Sequence, residues 1–139
     1  YTRTACTRCF TQYSREEAEE AAWKCPCDGG RIKKGVRDRA EELSGGEETP
    51  RPPYLHIIPL AEIIQRTLGT CSPTTKKCIA LYQASLSSFG DEISILTSTP
   101  VSDIERINPA LATAIAAFRE GRIRLFPGGG GKYGSFELG

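Results

Sequence analysis

Apolar residues recur at helical spacing in the second half of the chain. Positions three and four residues apart are repeatedly apolar, which is typical of the buried face of an α-helix. Each predicted helix begins at a polar or proline cap, and the longer ones end near a glycine. The first predicted helix runs from Pro59 to Leu68 with Gly69 as its cap, and the second from Thr74 to Phe89 with Gly90 after it. A short helix opens at Thr99-Pro100, and another runs from Asn108-Pro109 to near Gly121.

The first half of the chain predicts shorter elements. Ser14 and Glu17 form an S-x-x-E capping box, and the alanine- and glutamate-rich residues after it predict a helix up to Trp23. A short strand is predicted over 31–34 and a short helix over 36–43. Two further segments are predicted to be extended: 93–96 as a short strand or extended turn, and 123–126 as a strand.

A segment rich in glycine and proline, from Gly45 to Pro53, is the clearest linker, because glycine frees the backbone and proline blocks regular structure. The 139 residues suffice for one ordinary domain or two small ones, and no tandem repeat is visible. The predicted organisation is a cysteine-rich module (1–44), a linker (45–53), a helical domain (54–122) and a C-terminal strand with a glycine-rich tail (123–139).

Four cysteines form two tight pairs in the first module, a C-x-x-C pair and a C-x-C pair separated by fifteen residues. They are Cys6, Cys9, Cys25 and Cys27. Thiolates at this spacing are typical of a closed tetrahedral zinc site with a structural role. The alternatives are two disulfides, which require an oxidising compartment, or a redox-active C-x-x-C, for which no βαβ pattern is present. The only histidine, His56, is interpreted as a hydrogen-bonded core residue, and Cys71 and Cys78 as buried free thiols.

The predicted fold class is therefore α+β: mainly α, with a small β zinc-ribbon-like module in which four-cysteine zinc knuckles precede a helical domain. Net charge is +1, but residues 1–39 hold nine Lys/Arg against six Asp/Glu. Five cations follow the second cysteine pair and are called the basic stripe: Arg31, Lys33, Lys34, Arg37 and Arg39. A basic stripe beside a metal site is typical of nucleic-acid contact, and the alternative is a solvated charged face.

Residues 127–134, called the glycine loop, carry four consecutive glycines before Lys132. The loop lacks the GxxxxGK[ST] spacing, and Tyr133 replaces the Ser/Thr that would bind magnesium, so no nucleotide site is expected. It is predicted to be a flexible loop or a contact for a DNA backbone, with Lys132 as a DNA-binding residue. No signal peptide or membrane-spanning run is visible, and the expected location is the cytoplasm.

No catalytic constellation is visible, since one histidine cannot build a two-metal hydrolase site and no GxSxG elbow exists. The chain contains no methionine and begins at Tyr1, so we expect a fragment of a longer protein, with a processed chain as the alternative. Because the catalytic groups are missing, we expect the fragment to have no activity by itself.

Two long segments resemble endonuclease Q and its relatives in the region after their PHP domain. The first joins residues 23–39 to residues 51–64, and the second joins residues 119–123 to the glycine loop. The resemblance implies a parent protein with an N-terminal metal-dependent PHP nuclease domain, which nicks DNA beside deaminated bases such as uracil and hypoxanthine. The PHP metal ligands would lie upstream, and the four paired cysteines match the zinc cysteines of that family.

The function expected from this resemblance is the non-catalytic, zinc-binding and DNA-engaging region of a DNA-repair endonuclease. Its expected partners are DNA and the PHP nuclease domain of the same chain. The alternative is a structural or protein-interaction scaffold for the PHP domain without direct DNA contact. An intact thiol-redox protein is a third hypothesis, which the four-cysteine pattern disfavours.

Overall fold

The computed structural model describes residues 2–45, 50 and 52–138. These residues form a mainly helical α+β fold with small two-stranded sheets, so the predicted fold class is confirmed. The elements are β1 (Ala5–Cys6), α1 (Arg15–Glu20), β2 (Ile32–Lys33), α2 (Val36–Leu43), α3 (Leu60–Leu68), α4 (Lys76–Phe89), α5 (Glu92–Thr97), α6 (Val101–Ile107), α7 (Pro109–Arg119), β3 (Ile123–Phe126) and β4 (Ser135–Leu138).

The described chain divides into two compact units. Unit 1 comprises the residues up to Pro52 together with Leu125–Phe136, and unit 2 comprises Pro53–Arg124 with the residues from Glu137 onward. Unit 1 is therefore built from two segments that are far apart in sequence, and the helices α3 to α7, which lie between those segments in sequence, belong to unit 2.

Unit 1 is built from short elements, of which α1 begins at a side-chain cap. The Ser14–Glu17 capping box is present, but α1 ends at Glu20, three residues before the predicted end at Trp23. Ala22 and Trp23 have positive φ angles of 48° and 60°, which turn the chain toward the second cysteine pair. Helix α2 has the limits that the sequence predicted.

Buried Thr4 links α2 to β1. Its hydroxyl and backbone N–H both donate to the Asp38 carboxylate, and its hydroxyl accepts from the Gly35 N–H at 2.9 Å.

Unit 2 has an aliphatic core. Each of its helices except α4 contributes at least one fully buried aliphatic side chain to this core. Its largest fully buried side chains are Leu60, Ile63, Ile64, Ile95, Leu96, Ile104, Leu111 and Ile115. Full burial of one such side chain is worth about 1.5–3 kcal/mol, so this layer is the main stabilising feature of unit 2. Polar contacts fix the helix ends: the Glu92 carboxylate accepts from the Leu60 N–H at 2.6 Å, and the Arg119 guanidinium donates to the Ile95 and Leu96 carbonyls.

Three predictions about unit 2 were wrong. Residues 93–96 belong to α5 and not to a strand, because the Asp91 side chain caps the helix by accepting from the Ser94 N–H at 2.9 Å. His56 is exposed and contacts the Tyr54 ring edge-on instead of lying in the core. Cys71 is exposed, whereas Cys78 is buried as predicted. In the described ranges, no helix has both the length and the apolar character needed to cross a membrane.

Candidate metal centre and adjoining basic surface

The four paired cysteines converge in unit 1. Their Sγ atoms all lie within 4.8 Å of one another, and the Cys6–Cys27 and Cys9–Cys25 sulfurs are each 3.5 Å apart. Four thiolates at about 2.3 Å from a tetrahedral zinc would be about 3.8 Å apart, close to this spacing. A disulfide requires about 2.05 Å, so these sulfurs are not bonded in pairs. The cluster therefore fits a metal ion better than it fits disulfides.

Short backbone segments position the four thiols. Strands β1 and β2 are antiparallel with Cys6 opposite Ile32. The second pair is held by a tight turn, in which the Cys25 N–H donates to the Gly30 carbonyl at 2.8 Å and the Gly30 N–H to the Cys27 carbonyl at 3.0 Å. Ala18 and Ile32 pack with Cys6 and Cys25 in a small buried cluster. Tyr13 and Trp23 cover this cluster, so the metal centre is also the core of unit 1.

Hydrogen-bond donors point at several of the sulfur atoms. The Arg8 and Cys9 N–H groups face Cys6 Sγ at 3.3 and 3.5 Å, and the Tyr13 hydroxyl lies 3.0 Å from Cys25 Sγ. The Thr11 hydroxyl lowers the pKa of the Cys9 thiol to about 6. Such donors favour the thiolate form, which is the form that binds a metal.

Clustering also opposes complete ionisation of the four thiols. The side-chain contact with Cys25 raises the pKa of the Cys27 thiol to about 12. The Cys25 sulfur likewise raises the pKa of the Tyr13 hydroxyl to about 12. Four thiolates this close repel one another unless a cation compensates their charge, so the donor set suits a divalent metal ion.

Gly30 completes the cysteine cluster in a way that the sequence analysis missed. A Cβ atom at this position would overlap Cys27 Sγ and would lie 2.5 Å from Cys6 Sγ and 3.2 Å from the Cys25 Cβ. Only a glycine therefore allows the four sulfurs to keep these positions. The C-x-C-x-x-G pattern of residues 25–30 was the signal in the sequence that could have identified Gly30.

The glycine loop packs against β1 and the first cysteine pair. The Arg3 N–H donates to the Gly128 carbonyl at 2.8 Å, and the Gln12 amide donates to the Pro127 carbonyl at 2.9 Å. A Cβ on Gly129 would lie 2.6 Å from the Arg3 carbonyl oxygen, and one on Gly130 would overlap the Cys6 carbonyl. The expectation of a free, flexible loop is thus corrected: the glycines allow close approach to the backbone beside the metal centre.

The basic stripe divides into paired and unpaired cations. Lys34 and Arg39 contact the Glu42 carboxylate at 2.6 and 2.8 Å, and Arg37 contacts Glu41 at 2.9 Å. The hydrogen bond from Lys34, followed by that from Arg39, lowers the pKa of Glu42 to about 2. By contrast, Arg31 and Lys33 are exposed, and neither forms an ion pair with another described residue.

The unpaired cations border a shallow groove on the β2 side of unit 1. Its walls include the Trp23 ring and the side chains of Arg31, Lys33 and Lys34. The Lys34 ammonium lies 5.2 Å from the centre of the Trp23 ring, within the range of a cation–π contact. Lys132, the remaining predicted DNA-binding residue, lies outside this groove and over the Phe10 ring at 5.7 Å.

The chain is similar in sequence to a described family and to two further proteins. Residues 59–122 match the family described as the MJ0043 C-terminal domain. Over 99% of its length the chain is 44% identical to the uncharacterized protein MJ0043 of Methanocaldococcus jannaschii. It is 36% identical, over the same share, to the uncharacterized protein YqxK of Bacillus subtilis. The chain spans 18% and 32% of the lengths of these two relatives.

Solved structures extend this similarity to the fold. The lesion-specific endonuclease PfuEndoQ of Pyrococcus furiosus matches 99% of the chain with 44% identity and a TM-score of 0.88. A structure of endonuclease Q with a 27-mer duplex substrate, which carries an abasic lesion at the active site, matches with 42% identity and a TM-score of 0.87. In both cases the chain covers 35% of the solved chain. The chain is thus endonuclease Q-like in sequence and fold, as the resemblance predicted.

Proposed function

We propose that this chain is the zinc-binding and DNA-engaging region of an endonuclease that nicks DNA at deaminated bases. The observation that carries the proposal is the similarity over 99% of the chain to the lesion-specific PfuEndoQ, combined with the converging cysteine sulfurs. The solved endonuclease Q complex with duplex DNA further supports DNA as a partner of this region.

Zinc is the metal best suited to the cysteine cluster. Cys6, Cys9, Cys25 and Cys27 would fill all four positions of a tetrahedral site, which is the arrangement of structural zinc. When bound, zinc cross-links the two cysteine pairs and contributes its binding free energy to folding. A thiolate centre of this kind persists where thiols stay reduced, which supports a cytoplasmic location.

The DNA-binding surface proposed here comprises the basic stripe and Lys132. Phosphate contacts depend on available positive charge, so Arg31 and Lys33 are the strongest candidates. Glu41 and Glu42 already compensate Lys34, Arg37 and Arg39 in part, so these three are expected to contribute less to each contact. Contacts of this type position the protein on DNA without selecting a base sequence.

The nicking chemistry is proposed to come from a PHP nuclease domain of the same chain. Among the described residues, the cysteine cluster is the one group of three or more His, Cys, Asp or Glu side chains placed to hold a metal. Its four thiolates suit structural zinc, whereas hydrolytic metal sites keep an open coordination position. The region described here would therefore hold the DNA while another domain cleaves it.

The experiment is a salt titration of DNA binding by the 139-residue chain and two double variants. We expect Arg31→Ala/Lys33→Ala to lower the slope of log affinity against log salt by roughly 0.9 for each lost contact. The loss should be equal for undamaged and uracil-containing duplexes, because phosphate contacts do not read bases. The matched control is Lys76→Ala/Lys77→Ala, which removes the same charge from two exposed residues of α4.

If Arg31→Ala/Lys33→Ala shows the slope and affinity of the wild-type chain while both double variants retain their metal, Arg31 and Lys33 do not contact DNA. If the wild-type chain itself binds neither duplex, the scaffold function without DNA contact replaces the DNA-engaging role.

A further inference from the structure

Phe10 occupies a backbone conformation that bulky side chains rarely adopt. It directly follows Cys9 and has a φ angle of 60°, in the left-handed region that favours glycine or asparagine. The residue is 43% exposed, so packing in the core of unit 1 does not account for this conformation. A strained backbone that presents a half-exposed aromatic ring points to a binding role for that ring.

The glycine loop brings a second aromatic ring and a cation to the same surface. Lys132 and Gly129 exchange backbone hydrogen bonds at 3.0 Å, which form the tight turn that precedes Tyr133. Tyr133 is 92% exposed, and it lines one shallow cavity of about 140 Å³ together with Phe10, Gln12, Lys132 and Ser135. Within the described part of the chain, no acidic side chain lines this cavity.

We infer that Phe10, Lys132 and Tyr133 form a stacking platform for an unpaired nucleotide of DNA. Aromatic faces stack on any base, and a neighbouring ammonium compensates a phosphate. A lining without acidic groups among the described residues favours an anionic ligand, and two exposed rings favour one with a flat apolar face. This inference rests on the proposed DNA-engaging function and adds a site for unpaired bases that is separate from the basic stripe.

Two variants remove the rings without placing new strain on the fold. Phe10→Gly replaces the ring with the residue that best suits a φ of 60°, and Tyr133→Ser changes a side chain that is almost fully exposed. The matched control is Tyr54→Ser, which removes another exposed aromatic ring from unit 2. The binding assay is fluorescence anisotropy of the 139-residue chain with a labelled 12-mer oligothymidylate and, in parallel, a labelled blunt 12-bp duplex.

We expect each platform variant to bind the oligothymidylate about tenfold more weakly, because loss of one stacking ring costs roughly 1–3 kcal/mol per base. Binding of the blunt duplex should stay unchanged, as should both affinities of Tyr54→Ser. The melting temperature of Phe10→Gly should not fall, whereas a merely structural ring would lower it when removed.

Two results would overturn the platform. If oligothymidylate binding is the same in the wild-type chain and both platform variants while the duplex still binds, the platform fails and the proposed DNA-engaging function stands. If neither DNA binds to the wild-type chain, the DNA-engaging function fails and the platform fails with it.

Discussion

Replacing Gly30 with alanine would place one carbon atom among the four cysteine side chains. The added Cβ would overlap Cys27 Sγ and lie 2.5 Å from Cys6 Sγ, whereas carbon and sulfur in contact need well over 3 Å, roughly 3.5 Å or more. The Cys25 Cβ lies 3.2 Å from the added Cβ, so the added atom has no free space on that side either. Both sulfurs would therefore have to move by about 1 Å, although metal–ligand distances tolerate only about 0.2 Å.

The magnitude of this effect lies between two limits. Overpacking alone costs about 1–3 kcal/mol, and complete loss of structural zinc removes about 10–16 kcal/mol of apparent binding free energy. A backbone shift can relieve part of the overlap, so we expect a cost of at least about 3 kcal/mol, which corresponds to roughly a hundredfold weaker zinc affinity.

The assay is competition for zinc between the protein and a chromophoric chelator, with the metal content of the purified protein measured in parallel. The control is Gly29→Ala, the same substitution at the adjacent residue. Gly29 has a φ of 76°, but an added Cβ would meet only the Arg8 guanidinium, at 3.5 Å. We expect this control to lose about 1–2 kcal/mol of folding stability through its backbone and to keep its zinc. The reasoning is refuted if Gly30→Ala retains one equivalent of zinc with an affinity within threefold of the wild-type chain.

Two further predictions concern unit stability. Removal of zinc by a chelator should abolish the hydrogen-exchange protection of residues 2–45 and 127–131 while α3 to α7 stay protected, because the cysteine cluster is the core of unit 1 only. An equal loss of protection in α7 would contradict this prediction. Glu42→Gln should destabilise the chain at neutral pH, because the pKa of Glu42 falls from 4.5 to about 2 on folding. The difference in urea midpoint between Glu42→Gln and the wild-type chain should shrink as pH falls from about 4.5 to 2. A difference that stays constant over this range would refute a stabilising role for the ion pairs of Glu42 with Lys34 and Arg39.

Local signals explain the elements that the sequence predicted correctly. The Ser14 capping box, the left-handed Gly69 after α3 and the Asn108 cap of α7 all act within a few residues. The four metal-site cysteines also lie in two short motifs, so their spacing alone indicated a shared site. Short apolar runs are ambiguous, and 93–96 was assigned wrongly because the Asp91 cap was overlooked.

Features that depend on distant contacts escaped the sequence analysis. The glycine loop touches residues far away in sequence, as in the hydrogen bond from Gln12 to Pro127, and composition alone does not reveal such a partner. The basic stripe was predicted to contact DNA, with a solvated charged face as the alternative, rather than to form the ion pairs of Lys34, Arg37 and Arg39 with Glu41 and Glu42. Positive φ angles at Ala22 and Trp23 contradict residue preferences and occur where the chain turns toward the second cysteine pair.

The assembly of unit 1 from two segments that are far apart in sequence has a consequence for folding during synthesis. A ribosome makes the cysteine pairs early, but the glycine loop that packs on β1 leaves the exit tunnel only after all of unit 2's helices. Unit 2, whose helices are contiguous in sequence, can fold as soon as it emerges. The nascent cysteine pairs can meanwhile take up metal, while the Cys6 backbone stays uncovered until translation reaches Gly130. The synthesis of unit 1 thus begins before the helices of unit 2 are made and is completed only after them.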